Sequence, residues 1–162
     1  MKNFIGYTCS LCGKQYGPDE VTYTCPQDGG NLNVVLDYEG IRNQYSIDDI
    51  TSRSDPSLWR YLPLLPVPDP GGMGTPLRSA GGTPVYAPDR LAKKLGLKTL
   101  WVKDEGRNPT ASFKDRASSV VVARALAIKA DVVVTASTGN AGAALAGMSA
   151  AIGQKAVIFA PK

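Results

Sequence analysis

Residues 131–159 read DVVVTASTGNAGAALAGMSAAIGQKAVIF, and this stretch decides the fold class. Val132–Ala136 is an apolar, β-branched run that predicts a buried strand, and Lys155–Phe159 predicts a second strand. The alanine- and glycine-rich segment 140–152 between them has the length of a helix. A strand, a helix and a second strand in succession indicate a parallel sheet with a crossover helix.

The same alternation continues toward the N-terminus. Residues 88–95 predict a short helix that stops at Gly96, and residues 99–103 predict a strand. A loop at 104–111 and a longer helix at 112–129 follow. We therefore expect an α/β fold with three parallel strands, part of a three-layer domain that looks incomplete as an architecture.

Composition divides the chain further. Eight of the twelve prolines fall between Pro56 and Pro88. Around residues 62–70 they exclude regular helix or central strand, because proline lacks an amide donor and fixes φ. Such a segment is expected to wrap over a folded body. The expected parts are a cysteine-containing segment at 1–37, a proline-rich wrapping arm at 38–88 and a partial α/β domain at 89–162.

The first part contains a candidate metal site. Cys9, Cys12 and Cys25 lie in two knuckle-like turns, and Asp28 stands where a fourth cysteine would complete a second Cys-x-x-Cys pair. This spacing resembles a zinc ribbon. A Cys3Asp zinc site and a ribbon that has lost its metal both account for it, and in either case the role is structural. Short β-prone pieces are expected at 21–24 and 34–36.

Composition and charge exclude several function classes. The 162 residues include no histidine, which excludes Ser-His-Asp and Cys-His nucleophile systems and every His-ligated metal site. Acid–base chemistry must then fall to Lys, Asp, Glu, Tyr or a cofactor. Lys and Arg number 18 against 14 Asp and Glu, and the net charge of +4 is not gathered into a basic run. We expect no nucleic-acid partner.

The sequence also predicts a soluble, cytoplasmic protein without a membrane partner. The N-terminus has no apolar stretch long enough for a signal peptide. No charge appears between Asp131 and Lys155, but the polar groups of residues 135–140 would be left unpaired in a bilayer core. Three cysteines without a secretion signal indicate thiols or metal ligands. An exposed edge strand at 155–159 would favour self-association, such as a homodimer.

Two loops are expected at the sheet edge where α/β proteins bind ligands. The first, residues 108–116, reads NPTASFKDR. Ser112 and Asp115 have the spacing of a capping box, which puts Lys114 in the first helical turn, where the helix dipole favours a neutral amine. A neutral amine can form a Schiff base with an aldehyde. The alternative is an ordinary solvated lysine beside a helix cap.

The second loop, residues 137–142, reads STGNAG. It combines hydroxyl groups at Ser137 and Thr138, an amide at Asn140 and free backbone donors at a helix start. This combination suits a carboxylate or a phosphate, and a polar helix cap is the alternative. Gly-x-Gly-x-x-Gly and Walker-type loops are both absent from the sequence.

Together the two loop motifs resemble the fold-type II pyridoxal-phosphate enzymes. Within that group, the cysteine knuckles, residues 58–66 (LWRYLPLLP) and residues 74–77 (GTPL) are similar to the threonine synthase family. The resemblance extends from about Tyr7 to Lys162. It implies that O-phosphohomoserine, a small amino-acid phosphate, is converted with water to threonine and phosphate, and that pyridoxal phosphate is the cofactor. Whether a structural zinc ion accompanies it depends on the two alternatives for the cysteine turns, because Asp28 departs from a four-cysteine ribbon.

The resemblance also implies residue roles. Lys114 would carry pyridoxal phosphate as a Schiff base and move protons at the substrate carbons. Asn140 would hydrogen-bond the phenolic oxygen of the cofactor. The loop that grips the substrate carboxylate would comprise Ser137, Thr138, Gly139 and Ala141.

The sequence departs from this family in two ways. The glycine-rich loop for the cofactor phosphate and the partner of the pyridine nitrogen lie farther along the family's chains and have no counterpart here. We therefore expect the N-terminal portion of a longer enzyme, inactive alone and weak in cofactor binding. The alternatives are a cysteate synthase or threonine dehydratase-like enzyme, a non-catalytic binding module, and a zinc-ribbon interaction protein.

Overall fold

The computed structural model describes residues 3–161 and shows a mixed α/β architecture with small sheets. Within those residues, none of the helices is both long and apolar enough to cross a bilayer. Two 3-10 segments cover Leu58–Leu64 and Glu105–Arg107. The other elements are β1 (Phe4–Cys9), β2 (Gln15–Tyr16), β3 (Leu32–Leu36), α1 (Tyr38–Gln44), α2 (Ile47–Thr51), α3 (Pro76–Ser79), β4 (Val85–Tyr86), α4 (Asp89–Lys94), β5 (Val102–Lys103), α5 (Lys114–Ala127), β6 (Val132–Ala136), α6 (Asn140–Ala150) and β7 (Lys155–Phe159).

The chain divides into two compact units. The first unit comprises residues 3–53 and 61–69, and the second comprises residues 54–60 and 70–161. The three-part division expected from composition stays a prediction.

The first unit is built around an antiparallel sheet of order β2-β1-β3. The strand expected at 34–36 is confirmed within β3. The β-prone piece at 21–24 is wrong as a strand, because only Thr24 pairs, in an isolated bridge with Asn31. Val21 is buried in the small core of the unit while Tyr23 is 87% exposed, so this segment turns between core and solvent and makes no ladder.

The second unit contains the predicted βαβ unit. β6 and β7 pair in parallel from Val132↔Lys155 to Ala136↔Phe159, and α6 connects them. These three elements are confirmed, α6 being two residues shorter than expected. α5 also forms, over 114–127 in place of 112–129. Small buried residues such as Ala123 and Ala144 let α5 and α6 pack closely.

The expected third parallel strand at 99–103 is wrong. Only Val102–Lys103 is extended, and it pairs antiparallel with Val85–Tyr86 in a separate two-stranded sheet. The Asp104 amide donates to the Pro84 carbonyl oxygen at 3.0 Å, which extends this pairing. β5 therefore pairs with β4 and takes no part in the parallel sheet of β6 and β7.

The proline-rich arm is more regular than expected. A 3-10 segment runs from Leu58 to Leu64 and includes Pro63, where helix was excluded. A kink at Tyr61 splits this segment into two short turns. Pro63 therefore lies in a short turn and does not interrupt a long helix. Trp59 anchors the first turn, because its side chain is buried and its indole N–H donates to the Leu77 carbonyl oxygen at 2.9 Å.

Candidate active site

Lys114 is the first residue of α5, and its side chain is exposed. Its backbone amide donates to the Ser112 hydroxyl oxygen at 3.2 Å. Within residues 3–161, the structure records no hydrogen bond or ion pair for the Lys114 ammonium. The amine is thus presented to solvent at the positive end of a 14-residue helix, as the sequence predicts.

The capping box predicted at Ser112 and Asp115 does not form. Phe113 occupies the N-cap position, and no side chain caps the helix there. Asp115 is fully buried and points back into the loop, where it accepts from the Thr110 amide at 2.6 Å and from the Thr110 hydroxyl. The carboxylate therefore ties the loop before Lys114 to the first turn of α5.

An ion pair holds the other end of this loop. The Arg116 guanidinium donates to both carboxylate oxygens of Glu105, at 2.7 and 2.8 Å. It also donates to the Gly81 carbonyl oxygen at 3.1 Å. The hydrogen bond from Arg116, with others from Thr83 and Asn108, outweighs burial and lowers the pKa of Glu105 to about 2.

Asn108 connects the same groups through its side-chain amide. Its Oδ1 accepts from the Gly81 amide at 2.8 Å, and its Nδ2 donates to Glu105 at the backbone oxygen (3.0 Å) and at Oε2 (2.8 Å). The residue is 5% exposed. Gly81 has φ +88°, and a Cβ there would lie 2.8 Å from Arg116 Nη1, so glycine is required where these elements meet.

The second predicted loop follows β6 directly. The Ser137 amide donates to the Phe159 carbonyl oxygen at 2.9 Å, which continues the parallel ladder by one residue. The Ser137 hydroxyl accepts from the Gly139 amide at 3.2 Å, and Thr138 and Asn140 are exposed. α6 begins at Asn140 without a side-chain cap, so the amides of its first turn are available to a ligand.

The two loops lie at the starts of packed helices. α5 and α6 pack against each other, and Gly147 of α6 lies under the loop that holds Thr110. Within the described residues, no hydrogen bond joins the Lys114 side chain to the segment 137–141. Lys114 and Asn140 each stand at the start of a helix. That they act together on one ligand stays a prediction.

The four predicted metal ligands do converge, in the first unit. The ligand atoms of Cys9, Cys12, Cys25 and Asp28 all lie within 4.8 Å of one another. Hydrogen bonding with the Cys12 thiol, followed by the Gly30 amide, lowers the pKa of Asp28 to about 2.

A cleft of about 1030 Å³ lies in the second unit, outside the predicted site. Residues of the segments 54–57 and 73–79 line it, together with Arg107 and Pro109. Arg78 in its wall pairs with Asp55 at 3.4 Å. None of the predicted cofactor or substrate residues lines this cleft.

A family model described as "Pyridoxal-phosphate dependent enzyme" matches residues 77–162. This range includes Lys114, Asn140 and both loops. The chain belongs to the pyridoxal-phosphate dependent enzyme family.

Several curated members of this family are similar to the chain. The threonine synthase of Methanocaldococcus jannaschii is 45% identical over 154 residues, which is 95% of this chain and 37% of that protein. The threonine synthase of Methanosarcina acetivorans is 45% identical over 94% of the chain and 36% of the relative. The cysteate synthase of Methanoregula boonei is 28% identical over 93% and 34%. The chain thus spans about a third of the length of these relatives.

The residues of this family member fit pyridoxal phosphate. The cofactor brings an aldehyde and an anionic phosphate, and the chain offers an amine at Lys114 without an internal partner. It also offers uncapped amides at the start of α6, which favour an anion. A Cβ added at Gly139 would meet nothing within 4 Å, so the approach to these amides is open.

Sequence reasoning did not predict the polar residues that hold the loop before Lys114. Arg116 bonds Glu105 across 11 residues, Thr83 bonds Glu105 across 22, and the Gly81 amide bonds Asn108 across 27. No rule based on spacing along the sequence predicts such long-range pairs. The available signal was compositional, because one loop carries a carboxylate, an amide and an arginine beside the predicted lysine.

Proposed function

We propose that the chain supplies the lysine-bearing part of a threonine synthase, which converts O-phosphohomoserine and water to threonine and phosphate. The observation that carries this proposal is the 45% identity to two threonine synthases over nearly the whole chain. The position of Lys114 at an exposed helix start supports it.

Lys114 holds the cofactor through its amine, and Asn140 donates its side-chain amide to the phenolic oxygen. When bound, pyridoxal phosphate supplies an electron sink that makes removal of protons from the substrate carbons easier. Lys114 would move those protons at Cα and Cβ with its amine. The α6 amides, with Ser137, Thr138, Gly139 and Ala141, bind the substrate carboxylate.

Labelling of Lys114 tests the cofactor assignment. We expect that the full-length protein encoded by the native gene, incubated with pyridoxal phosphate and reduced with borohydride, gains a phosphopyridoxyl group that peptide mass spectrometry locates at Lys114. Lys114→Arg should abolish this label, because arginine keeps the charge and cannot form the imine. Lys93→Arg, at an exposed lysine of α4, is the matched control and should label normally. Labelling spread over several lysines and unchanged in Lys114→Arg would contradict the assignment.

A substrate comparison tests the reaction. The full-length protein encoded by the native gene, loaded with pyridoxal phosphate, should release phosphate and threonine from O-phosphohomoserine. The 162-residue chain alone should release neither. The rival function is cysteate synthesis, favoured by the cysteate synthases among the relatives. Cysteate formation in preference to threonine would overturn the proposal.

A further inference from the structure

The two cysteine turns of the first unit are built to one pattern. In Cys9-Ser-Leu-Cys12-Gly13, the Gly13 amide donates to the Cys9 carbonyl oxygen at 3.1 Å. In Cys25-Pro-Gln-Asp28-Gly29, the Gly29 amide donates to the Cys25 carbonyl oxygen at 2.8 Å. Gly13 and Gly29 have nearly the same φ, +74° and +73°. Asp28 therefore occupies the structural position that Cys12 occupies in the other turn.

The same equivalence extends to the amides that surround the side chains. The Leu11 amide donates to Cys9 Sγ at 3.4 Å, and the Gly30 amide donates to Asp28 Oδ1 at 2.8 Å. In each case the donor lies two residues after the acceptor. The amides of Lys14 and Gln27 stand in the same relation to Cys12 and Cys25 and interact with those sulfurs. A ring of amides aimed at four side chains suits anionic thiolate and carboxylate ligands.

The distances among the four groups match a tetrahedral ion. Cys12 Sγ and Cys25 Sγ are 3.9 Å apart, and Cys9 Sγ lies 3.3 Å from Asp28 Oδ1. Zinc–sulfur bonds of about 2.3 Å in a tetrahedron place two sulfurs about 3.8 Å apart. These two pairs are thus close to the spacing of a tetrahedral zinc site, and all four ligand atoms lie within 4.8 Å of one another, so small side-chain movements bring them to one ion.

We propose that Cys9, Cys12, Cys25 and Asp28 bind one zinc ion in a closed, structural Cys3Asp site. Three thiolates select zinc over magnesium or calcium, which prefer oxygen ligands. Four protein ligands leave no coordination position for a substrate. Tyr16 supports the site from outside, because its hydroxyl lies 3.0 Å from Cys25 Sγ.

The local core explains what the ion does for the fold. Four buried residues, Cys9, Tyr16, Val21 and Cys25, form the hydrophobic cluster under the turns. A core of four residues contributes little to the stability of the unit by itself. Small units of this kind use metals or disulfides as cross-links. Zinc joins the two turns across this core. A Cβ at Gly30 would lie 2.7 Å from Cys9 Sγ, so the ligand cradle excludes any larger residue there.

Metal content and cobalt spectroscopy test the site. The chain purified without chelator should contain one zinc per polypeptide by elemental analysis. Replacement of zinc by Co²⁺ should give the intense thiolate charge-transfer absorption and the visible bands of a tetrahedral site. Chains that bind neither zinc nor cobalt in this way, or that carry only iron, would overturn the proposal.

Variants at Asp28 test the fourth ligand. Asp28→Asn should weaken zinc binding at least about tenfold in chelator competition, the lower bound for loss of a group around a metal site. Asp28→Cys should bind zinc more tightly than the natural chain and shift the cobalt spectrum toward four thiolates. Asp48→Asn, at an exposed aspartate of the same unit, is the control and should bind zinc normally. Unchanged affinity and spectra in both Asp28 variants would remove Asp28 from the ligand set.

These measurements are independent of Lys114. Phosphopyridoxyl labelling reads the amine of the second unit, whereas zinc content reads the turns of the first. A chain that labels at Lys114 without binding zinc would refute the metal site alone. A full-length protein that binds zinc without labelling at Lys114 would refute the cofactor assignment alone.

Discussion

Asn108 anchors the start of the loop that leads to Lys114. Its one side chain bonds both Gly81 and Glu105, and its burial removes water as an alternative partner. Buried polar groups that lose their partner cost more than the bond itself contributed. The loop before the lysine is therefore specified by hydrogen bonds and not by apolar packing.

Asn108→Ala should lower the free energy of unfolding by about 1–3 kcal/mol, because it leaves the Gly81 amide without its acceptor. Asn108→Asp should destabilise the chain as well, since it keeps the acceptor but sets a second carboxylate beside Glu105. Urea unfolding measures both effects. Asn43→Ala, at an exposed site on α1, should stay within about 0.5 kcal/mol of the natural chain. An Asn108→Ala chain as stable as this control would contradict the role of the amide.

The loop around Lys114 also shows how far residue patterns can be read. The sequence motif correctly predicts that the lysine begins a helix, because helix start signals are local. The capping box fails because Asp115 has a choice of donors, and Thr110 offers two of them. Spacing along the chain cannot rank such competing bonds, whose strengths depend on the loop conformation.

At the scale of elements, α6 is held against the Lys114 loop at a single close approach. A Cβ at Gly147 would lie 2.5 Å from Thr110 Cγ2. Thr110 cannot turn away freely, because its hydroxyl and its amide both bond Asp115. Thr110 of the first predicted loop thus packs on α6 at Gly147, which has no side chain. Because α6 begins at the second predicted loop, this packing couples the two loops.

Gly147→Ala should therefore destabilise the chain by about 1–3 kcal/mol through overpacking, although alanine is the better helix former. Thr110→Ser in the same chain should restore much of the loss, since serine lacks the clashing methyl group and keeps the hydroxyl for Asp115. A double-mutant cycle in urea unfolding measures this coupling. A Gly147→Ala chain as stable as the natural chain would contradict this prediction. Helix propensity alone would then account for the stability at this position, and the close approach of Thr110 would have no measurable effect.

The elements differ in how well the sequence predicts them. β6, α6 and β7 have continuous apolar or small-residue runs bounded by polar turns, and their bounds are predicted nearly to the residue. β5 is shortened and re-paired, because Val85–Tyr86 is a partner that only the folded chain brings alongside. The segment 21–24 has strand-like composition but pairs only at Thr24, in an isolated bridge with Asn31. Secondary-structure propensity thus predicts an element correctly where the burial of its residues and the neighbouring elements favour the same structure.

At the scale of the whole molecule, carboxylates are the groups that make stability depend on pH. The chain has no histidine, the side chain that ordinarily titrates near pH 6.5. The pKa of Glu105 is lowered to about 2, chiefly by its hydrogen bond from Arg116. The pKa of Asp49 is lowered by the Ser46 amide. In Asp55, the bonds from Ser57 lower the pKa against an opposing effect of burial.

The lowered pKa values of these carboxyl groups determine whether the stability of the chain rises or falls with pH. A carboxyl whose pKa is lower in the folded than in the unfolded chain binds its proton more readily when unfolded, so stability rises with pH through that window. For Glu105 the contribution is complete above about pH 4.5, its unfolded value, and disappears as the pH falls toward 2. We expect the urea midpoint to be nearly constant between about pH 6 and 8 and to fall below about pH 5. Glu105→Gln should lower the midpoint at pH 7 and flatten the acid slope, because the amide keeps the shape without the titrating charge. A midpoint that falls between pH 8 and 6, or an acid slope unchanged in Glu105→Gln, would mean that other groups govern the stability of the chain.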